Sequence, residues 1–429
     1  MTLIGSLVTK NQPIFQKIPL GWRASQVKYL GRYINGYAFK PEDWSHEGKP
    51  ILRIQNLSNP NASLNRYQGV LPEAYIIRNG DILISWSASL GVFQWTGEDA
   101  WLNQHIFKVD IHKSLVRPDY FRWLASWFIY EMAHKAHGST MQHLTWDAFG
   151  SFPVLLPSLE EQRKIANYLD RETAKIDTLI SARERLLDLL TEKRRALITH
   201  AVTRGLNPDV CLQNSSFEFF KYIPEHWEVI NLKFLTEVRT GVTKGRNFGN
   251  RETVLVPYFR VANVQDGYLD LSDIAQIEVL PEEISSFKLE KGDVLMNEGG
   301  DADKLGRGAV WDGSIDPCLH QNHVFAVRCH NIEPDWLTTV IGSHYAKAYF
   351  ESRSKQSTNL ASISTTNMKE LPIVVPPPDE RKAIIEYLKE ATLKLDRLCS
   401  VARSTIELLH ERRTALITAA VTGQIKVTA

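Results

Sequence analysis

The residues that come closest to a catalytic motif are Asp379 and Glu380, which Arg381 and Lys382 follow directly. Carboxylates followed by a lysine occur in nuclease active sites, but those sites need a further acidic residue upstream on a strand. Here the string follows Pro378 and opens a long segment without Gly or Pro, where acidic residues suit the positive end of a helix. We therefore interpret it as a helix start.

A histidine ends a short polar signature in both halves of the chain, as Asn103-Gln104-His105 and as Gln321-Asn322-His323. These residues could hydrogen-bond DNA, or they could satisfy backbone groups where a loop enters a strand. Because both halves keep the histidine, we favour the structural role. The four cysteines form no CxxC pair, so we expect no metal site.

Sequence motifs for cofactors are missing. The chain contains no GxxxxGK[ST] phosphate loop, no GxGxxG fingerprint and no Asp/Asn-Pro-Pro-aromatic tetrad of adenine methyltransferases. We expect no catalysis by this chain alone and no cofactor bound to it. The formal net charge of +1 lacks the basic excess of an independent nucleic-acid binder. The apolar runs are strand-length and no secretory signal is apparent, so we expect no membrane span and a cytoplasmic location.

The elements that must position these residues occur twice. The segment Pro153–Thr203 reappears without a gap as Pro372–Thr422. In each half, the middle is the stretch between the opening residues and this repeated segment. The two middles share only short signatures, such as Gly80-Asp81 with Gly292-Asp293, which we interpret as structural turns. The duplication predicts two equivalent units with common frames and diverged middles.

Each copy of the repeated segment predicts one long helix with a narrow apolar stripe. The stripe residues recur at three- and four-residue spacing: Ile165, Leu169, Ile176, Leu179, Leu186, Leu190 and Leu197 in the first helix, and Ile384, Leu388, Leu395, Leu398, Leu409 and Leu416 in the second. Such a stripe suits a partner helix of the same length. We expect the two helices to pair as an antiparallel coiled coil; the alternative is that each packs only on its own domain.

The two middles mix short β-branched runs with helical stretches, so each predicts an α+β unit with a small sheet. Polar loops surround these runs and differ between the copies. The loops carry Asn, Gln, Ser, Lys, Arg and aromatic residues, which are the side chains that contact base edges and phosphates.

The openings Ile18-Pro19-x-x-Trp22 and Ile223-Pro224-x-x-Trp227, the diverged middles and the repeated helices resemble the specificity subunit of type I restriction–modification systems. The resemblance covers essentially the whole chain. It implies two pseudo-repeated target-recognition domains, joined by two long helices that form an antiparallel coiled coil. The implied division is recognition domain one at 1–157, spacer helix one at 158–205, recognition domain two at 206–376, and spacer helix two with the C-terminal tail at 377–429.

The same resemblance implies the partners. Each domain would read one half of a split target in double-stranded DNA. Catalysis would belong to two modification subunits that methylate adenine with S-adenosylmethionine, and to restriction subunits that translocate and cut DNA with ATP and Mg. The missing catalytic motifs agree with this division of labour.

If the two half-sites differ, residues that differ at equivalent loop positions are the candidates for reading bases. We nominate Ser85, Trp86, Ser87, Gln94 and Gln142 in the first unit, and Asn297, Lys304, Arg307, Lys355 and Asn359 in the second. The dipeptides Ser139-Thr140 and Ser357-Thr358 occur in both copies, so we assign them to backbone phosphates.

Two other functions stay open. A non-catalytic adaptor could bind protein partners through the two units, with the coiled coil as a strut. An absence of DNA affinity in the presence of modification subunits would favour it. A nuclease or a fused methyltransferase ranks third, since it would need a cofactor motif that the sequence lacks.

Overall fold

The computed structural model describes residues 8–9, 12–13, 15, 18–59, 62–87, 89–135, 145–300, 304–356 and 361–427. Contacts between Cα atoms divide the chain into two compact units. Unit one comprises Met1–Arg183 and Ser404–Ala429, and unit two comprises Glu184–Arg403. Both long helices therefore contribute residues to both units. The division into recognition domains and spacers stays a prediction.

Unit one is built of short strands followed by helices. Its strands are β1 (Val8–Thr9), β2 (Gln12–Pro13), β3 (Arg23–Gln26), β4 (Gly31–Asn35), β5 (Lys49–Leu52), β6 (Arg66–Tyr67), β7 (Ile76–Ile77), β8 (Ile82–Ser85), β9 (Gly91–Gln94), β10 (Ala100–Leu102), β11 (Ile106–Ile111) and β12 (Pro153–Leu156). Its helices are α1 (Ile54–Ser58), α2 (Pro118–Lys135), α3 (Trp146–Gly150) and the first part of α4 (Leu159–Arg204).

Unit two follows the same plan. Its strands are β13 (Leu212–Asn214), β14 (Tyr222–Pro224), β15 (Glu228–Asn231), β16 (Thr236–Thr240), β17 (Val254–Phe259), β18 (Ala275–Val279), β19 (Val294–Asn297), β20 (Gly299–Gly300), β21 (Gly308–Val310), β22 (Leu319–His320), β23 (Val324–Cys329), β24 (Lys355–Gln356), β25 (Ala361–Ser362) and β26 (Pro372–Val375). Its helices are α5 (Ile284–Phe287), α6 (Pro334–Ile341), α7 (His344–Arg353), α8 (Thr365–Lys369) and the first part of α9 (Pro378–Val421).

Each unit contains the same four-stranded antiparallel sheet. The strand order is β4-β11-β8-β9 in unit one and β16-β23-β19-β21 in unit two. The registers correspond, because Phe107 pairs with Asn35 and Phe325 pairs with Thr240. Both units also contain a parallel pair, β5 with β10 and β17 with β22. The mixture of helix and sheet, built twice, confirms the predicted α+β fold.

The central strand β8 is buried along its whole length because both faces of the sheet are covered. Ile82 and Ile84 face the cluster that includes α2 and the start of α4. Leu83, on the opposite face, packs with residues of β5, β7 and β10. The strand β19 divides its residues in the same way in unit two. Alternation of side chains along a strand thus places each strand between two apolar clusters.

The long helices pair within unit one. Ile165 and Leu169 of α4 belong to the same apolar cluster as Ile417 of α9. Farther along, Arg413 Nε donates a hydrogen bond to Asp177 Oδ1 over 2.9 Å. Because residue numbers rise along α4 while those of its neighbours fall along α9, the two helices run antiparallel.

The same pairing occurs within unit two. Val202 of α4 shares an apolar cluster with Ile384 and Leu388 of α9. An ion pair between Arg194 and Asp396 continues the contact in the antiparallel direction. The predicted antiparallel coiled coil is confirmed.

The contact stripe includes most of the predicted residues. Buried members are Ile165, Leu169, Ile176, Leu190, Ile384, Leu388 and Leu395, and partly buried members are Leu186, Leu197, Leu409 and Leu416. The prediction was wrong for Leu179 and Leu398, whose side chains are 49% and 53% exposed. Ile180 and Ala402 are buried instead. A step of three or four residues keeps a helix residue near the seam, so the sequence alone left both choices open.

The start of each long helix is tied to the tryptophan of the opening motif. Trp22 Nε1 donates to Glu161 Oε1 over 3.1 Å, and Trp227 Nε1 donates to Glu380 Oε2 over 2.9 Å. The helix α9 begins at Pro378, with Glu380 in its first turn. The acidic string is therefore a helix start, as interpreted from the sequence.

The two Gly-Asp signatures form equivalent turns. Asp81 Oδ2 accepts a hydrogen bond from the Arg78 backbone N–H over 2.8 Å. Asp293 Oδ2 accepts one from the Glu290 backbone N–H, also over 2.8 Å. These contacts confirm a structural role for the signature. No helix among the described residues is both long and apolar enough to cross a membrane.

Candidate nucleic-acid interface

The end of the central strand has the same backbone geometry in both units. The backbone N–H of Trp86 donates to the carbonyl oxygen of His105 over 3.3 Å. The backbone N–H of Glu298 donates to the carbonyl oxygen of His323 over 3.0 Å. Trp86 and Glu298 therefore occupy equivalent positions, and their side chains can be compared directly.

A glycine at the end of the first sheet strand fixes the loop that carries each histidine. A Cβ atom on Gly36 would lie 2.1 Å from the carbonyl oxygen of Asn103, and one on Gly241 would lie 2.0 Å from that of His320. Any side chain there would clash with backbone. Both units thus hold the loop close to the neighbouring strand, and the loop's polar signature belongs to the shared frame.

Aromatic residues line a cleft at this position in unit one. The Trp86 ring stacks on Phe107 with 5.8 Å between centroids, and Trp146, which is 49% exposed, meets Phe107 edge-on at 5.9 Å. Tyr33 and Asn35 complete the lining of a cavity of about 370 Å³. The wall of this cleft is therefore mainly aromatic in unit one.

The polar groups of this cleft are held in fixed positions. Trp86 Nε1 donates to Asn35 Oδ1 over 3.2 Å. The Tyr33 hydroxyl donates to the carbonyl oxygen of Val27 over 2.9 Å, and burial raises the pKa of its phenol, which stays neutral. His105 Nδ1 is buried and has no hydrogen-bond partner among the described residues.

Unit two places different chemistry at the equivalent position. His323 Nδ1 lies 3.0 Å from Glu298 Oε2, so a charged or polar pair replaces the contact between Trp86 and His105. Phe325 keeps the aromatic ring of Phe107, while Thr240 stands in the place of Asn35. One backbone frame therefore presents two unlike surfaces.

The predicted base-reading residues of unit one fall into three groups. Ser85 and Ser87 are buried, and Ser85 Oγ donates to the carbonyl oxygen of Ser89 over 2.5 Å. Trp86 is partly buried in the aromatic cleft, and Gln94 is exposed. Ser139, Thr140 and Gln142 lie outside the described residues. Buried hydroxyls cannot reach a base, so the two serines have a structural role, and base contact stays a prediction for Trp86 and Gln94.

The candidates of unit two divide in a similar way. Asn297 is buried, and its Nδ2 donates to the carbonyl oxygen of Val264 over 3.1 Å, so its amide serves the fold. Arg307 and Lys304 are partly buried, and Lys355 is exposed. Ser357, Thr358 and Asn359 lie outside the described residues. Base contact stays a prediction for the three cations.

Sequence reasoning did not identify Tyr33, Asn35, Phe107 or Trp146 as members of one site. Asn35 and Phe107 lie on neighbouring strands and Trp146 begins α3, so only the sheet register brings them together. The feature of the sequence that could have indicated this site is a phenylalanine common to both halves, Phe107 and Phe325, which has different residues around it in each half. Among the described residues no group of His, Cys, Asp and Glu could hold a metal ion.

Comparisons with known proteins agree with the repeated architecture. Residues 19–186 and 224–398 match the family model of the type I restriction modification DNA specificity domain. The chain is 24% identical over 293 residues to the type I restriction enzyme EcoBI specificity subunit of Escherichia coli, over 66% of this chain and 62% of that protein. It is 23% identical over 424 residues to the MjaVIII specificity subunit of Methanocaldococcus jannaschii, over 96% of this chain and 94% of that protein.

The chain thus spans less than two thirds of the first of these relatives and nearly all of the second. A solved structure that describes complex assembly and conformational transition of the type I R-M system contains a chain of the same fold. The TM-score is 0.65 at 17% identity, and the match covers 95% of this chain and 100% of that one.

Proposed function

Because the chain belongs to the type I restriction–modification DNA specificity family, we propose that each of its two units reads one half of a bipartite target in double-stranded DNA. One observation carries this proposal. The units present unlike side chains from one backbone frame, with Trp86 and Glu298 at one position and Asn35 and Thr240 at another. Different side chains on a common frame suit two half-sites of different sequence.

Sequencing of methylated bases tests this proposal. One strain carries this gene together with genes for modification subunits, and the matched strain carries only the modification genes. We expect a split motif that is methylated only when this gene is present. If the assembled complex forms but no motif depends on the gene, and the complex shows no DNA affinity, the adaptor function replaces the proposed one.

We assign catalysis to partner subunits. S-adenosylmethionine would serve two modification subunits, and ATP and Mg would serve restriction subunits, all acting on DNA that this chain selects in the cytoplasm. The relatives are named specificity subunits, which supports this division.

An exposed apolar face on the long helices supports partner docking. In unit two, Leu398 and Val401 of α9 are 53% and 65% exposed, although they lie beside the buried seam residues Leu395 and Ala402. Arg194 pairs with Asp396, so Leu189 of α4, also exposed, lies level with Val401. In an antiparallel pair, residues that directly precede the seam positions of both helices lie on one side. This side fits an apolar partner helix.

A matched pair of substitutions tests the docking face. The double variant Leu398→Asp, Val401→Asp places charge on the proposed face, and we expect it to abolish co-purification of modification subunits. The control is Leu393→Asp, because Leu393 is 50% exposed on the same helix but lies about 140° around its axis from Leu398. Equal loss of binding in both variants, or in neither, would contradict docking on this face.

A further inference from the structure

An arginine of unit one lies at the same edge of the molecule as the candidate nucleic-acid interface. Arg53 directly follows β5, and Asn103 directly follows β10. These strands are parallel, with Leu52 paired to Leu102, so both residues leave the sheet at one edge. Asn103 begins the polar signature that ends at His105, whose carbonyl oxygen meets the end of the central strand β8. Arg53 is therefore close in the fold to the region where the two units present different side chains.

The Arg53 guanidinium lies over a tryptophan and has no acceptor of its own. Its Cζ is 5.0 Å from the centroid of the Trp44 ring, and Trp44 is 45% exposed. The Arg53 Nε is buried without a hydrogen-bond partner, while the residue as a whole keeps part of its surface in solvent. No carboxylate pairs with Arg53 in the part of the chain that the structure describes. A buried donor without an acceptor is unfavourable, so a ligand that supplies an acceptor gains from this arrangement.

The equivalent arginine of unit two is paired with a carboxylate. The backbone N–H of Arg53 donates to Asn56 Oδ1 over 3.1 Å, and that of Arg260 donates to Asn263 Oδ1 over 2.9 Å, so the two arginines hold the same position. Arg260 Nη2 donates to Asp273 Oδ2 over 2.7 Å. The charge of the arginine is therefore neutralised in unit two and left without a partner of opposite sign in unit one.

One difference in sequence separates the two arrangements. Asn56 Nδ2 donates to the carbonyl oxygen of Ser63 over 3.2 Å, and Asn263 Nδ2 donates to that of Asp273 over 2.9 Å. Ser63 therefore takes the place of Asp273. Because serine carries no charge, unit one keeps the backbone of this loop but loses the carboxylate that pairs with the arginine.

From this comparison we infer that Arg53 binds a phosphate of the DNA backbone in the half-site read by unit one. A guanidinium offers parallel N–H donors that match two phosphate oxygens, and the Trp44 ring holds it by a cation–π contact. The arginine and the asparagine three residues later are common to both units, which favours a phosphate over a base as the ligand. The inference rests on the proposed reading of DNA by this unit.

The test uses the complex of this chain with modification subunits and measures the affinity for target and scrambled duplexes over a range of salt concentrations. Arg53→Ala should weaken binding to both duplexes alike, by about 10- to 150-fold, as expected for a charge-assisted hydrogen bond. The slope of log affinity against log salt should fall by about one. Arg53→Lys keeps the charge, so it should keep the slope and restore part of the affinity.

An exchange of the residue that differs between the units gives a second variant. Ser63→Asp should pair with Arg53 as Asp273 pairs with Arg260, and so lower the affinity and the salt slope as Arg53→Ala does. Added to Arg53→Ala, it should have little further effect. The control is the double variant Arg260→Ala, Asp273→Ser, which removes the ion pair of unit two without changing the net charge. It should leave the salt slope unchanged.

Neutral phosphate analogues locate the contact. A methylphosphonate replaces each phosphate of the first half-site in turn. At one position the replacement should weaken binding by the wild-type chain as much as Arg53→Ala does. The same replacement should have no effect on Arg53→Ala, because the charge that it removes has already lost its partner.

Each other outcome overturns a separate idea. If Arg53→Ala loses discrimination at a single base pair, the arginine reads a base. If it loses co-purification with modification subunits, it contacts a protein partner. Unchanged affinity and slope in a folded Arg53→Ala variant would leave the arginine with no ligand at all. If thermal unfolding shows that this variant has lost its fold, Ser63→Asp, which keeps the arginine, decides the question. If the wild-type complex does not prefer its target to a scrambled duplex, the proposed function itself is wrong.

Discussion

Arg307 is the residue of unit two that we predict to recognise a base. Its backbone carbonyl accepts a hydrogen bond from the Asn297 N–H over 2.9 Å, next to the end of the central strand. Its Nη1 donates to Gln265 Oε1 over 3.3 Å, so the guanidinium is positioned by a neighbouring loop. The sheet register gives unit one Gly91 at the equivalent place, which leaves that unit without a side chain there.

We predict that Arg307→Ala relaxes the preference at one position of the second half-site by about 1 to 3 kcal/mol, the value of a bidentate contact to guanine. Arg307→Lys keeps the charge but loses the two-pronged geometry, so it should relax the same position. Competition binding by the assembled complex measures both. A phosphate contact would behave differently: Arg307→Ala would weaken all sequences alike and lower the salt slope by about one, and lysine would largely restore binding.

We predict that His320 gives unit two a dependence of stability on pH. It is buried, its Nδ1–H donates to the carbonyl oxygen of Val324 over 2.6 Å, and burial lowers the pKa of its imidazole to about 4. The unfolded chain has the ordinary histidine pKa of about 6.5. Because the folded pKa is the lower one, the contribution of the neutral ring to stability is fully present above pH 6.5, declines as the pH falls below 6.5, and is lost once the pH has fallen through 4.

The loss should amount to about 3 kcal/mol of unfolding free energy across that interval. Unit one has Leu102 at the equivalent position, which makes His320→Leu the natural comparison. Urea unfolding at several pH values should show a smaller decline between pH 6.5 and 4 for the variant than for the wild type. An identical decline in both proteins would mean that other groups carry the pH dependence.

The sequence identified which segments of the two units differ, but not which of their side chains are available to DNA. Ser85, Ser87 and Asn297 follow or end a central strand, and the burial of that strand on both faces takes their side chains inside. Burial of this kind depends on the second sheet and on α2, which are distant in sequence. Trp86 lies between the two buried serines and lines the cleft.

At the scale of elements, the seam between α4 and α9 should determine the stability of the helix pair. Leu190 is buried, whereas its neighbour Leu189 is 54% exposed. We predict that Leu190→Asp destabilises unit two by several kcal/mol, because an unpaired charge enters an apolar contact. Leu189→Asp, the matched control, should change the unfolding free energy by about 0.5 kcal/mol or less. Chemical denaturation measures both, and equal effects would place the seam elsewhere.

The same seam explains what periodicity could predict about these elements. The three- and four-residue spacing was enough to predict two long helices and their antiparallel pairing. It could not choose between Leu179 and Ile180, because both follow Ile176 at an allowed step. In the structure Ile180 is buried and Leu179 is exposed. The exposed leucines are therefore candidates for contact with a partner. From the sequence, these residues are known to be apolar, but the sequence does not show whether they lie in the seam or on the exposed side of the helix.

At the scale of the whole molecule, the repeated contacts suggest that one unit can be replaced. Replacement of residues 206–376 by the corresponding segment of a relative exchanges β15 together with its partner β26. The start of α9 is retained, and in this chain its Glu380 accepts a hydrogen bond from Trp227 of the exchanged segment. The new segment would need the same donor. Trp22 and Glu161 make the same contact in unit one, so a donor that keeps the opening tryptophan should fold on the retained helices.

We predict that this exchange changes one half of the methylated target and leaves the other half unchanged, because each unit has its own recognition surface on its own sheet. The reciprocal exchange of residues 1–157 should change the other half only. Methylation sequencing of strains that carry each hybrid measures both halves at once, and the unexchanged parent provides the reference motif. A hybrid that alters both halves would show that the two surfaces are coupled, and an active hybrid that alters neither would place recognition outside the exchanged segments.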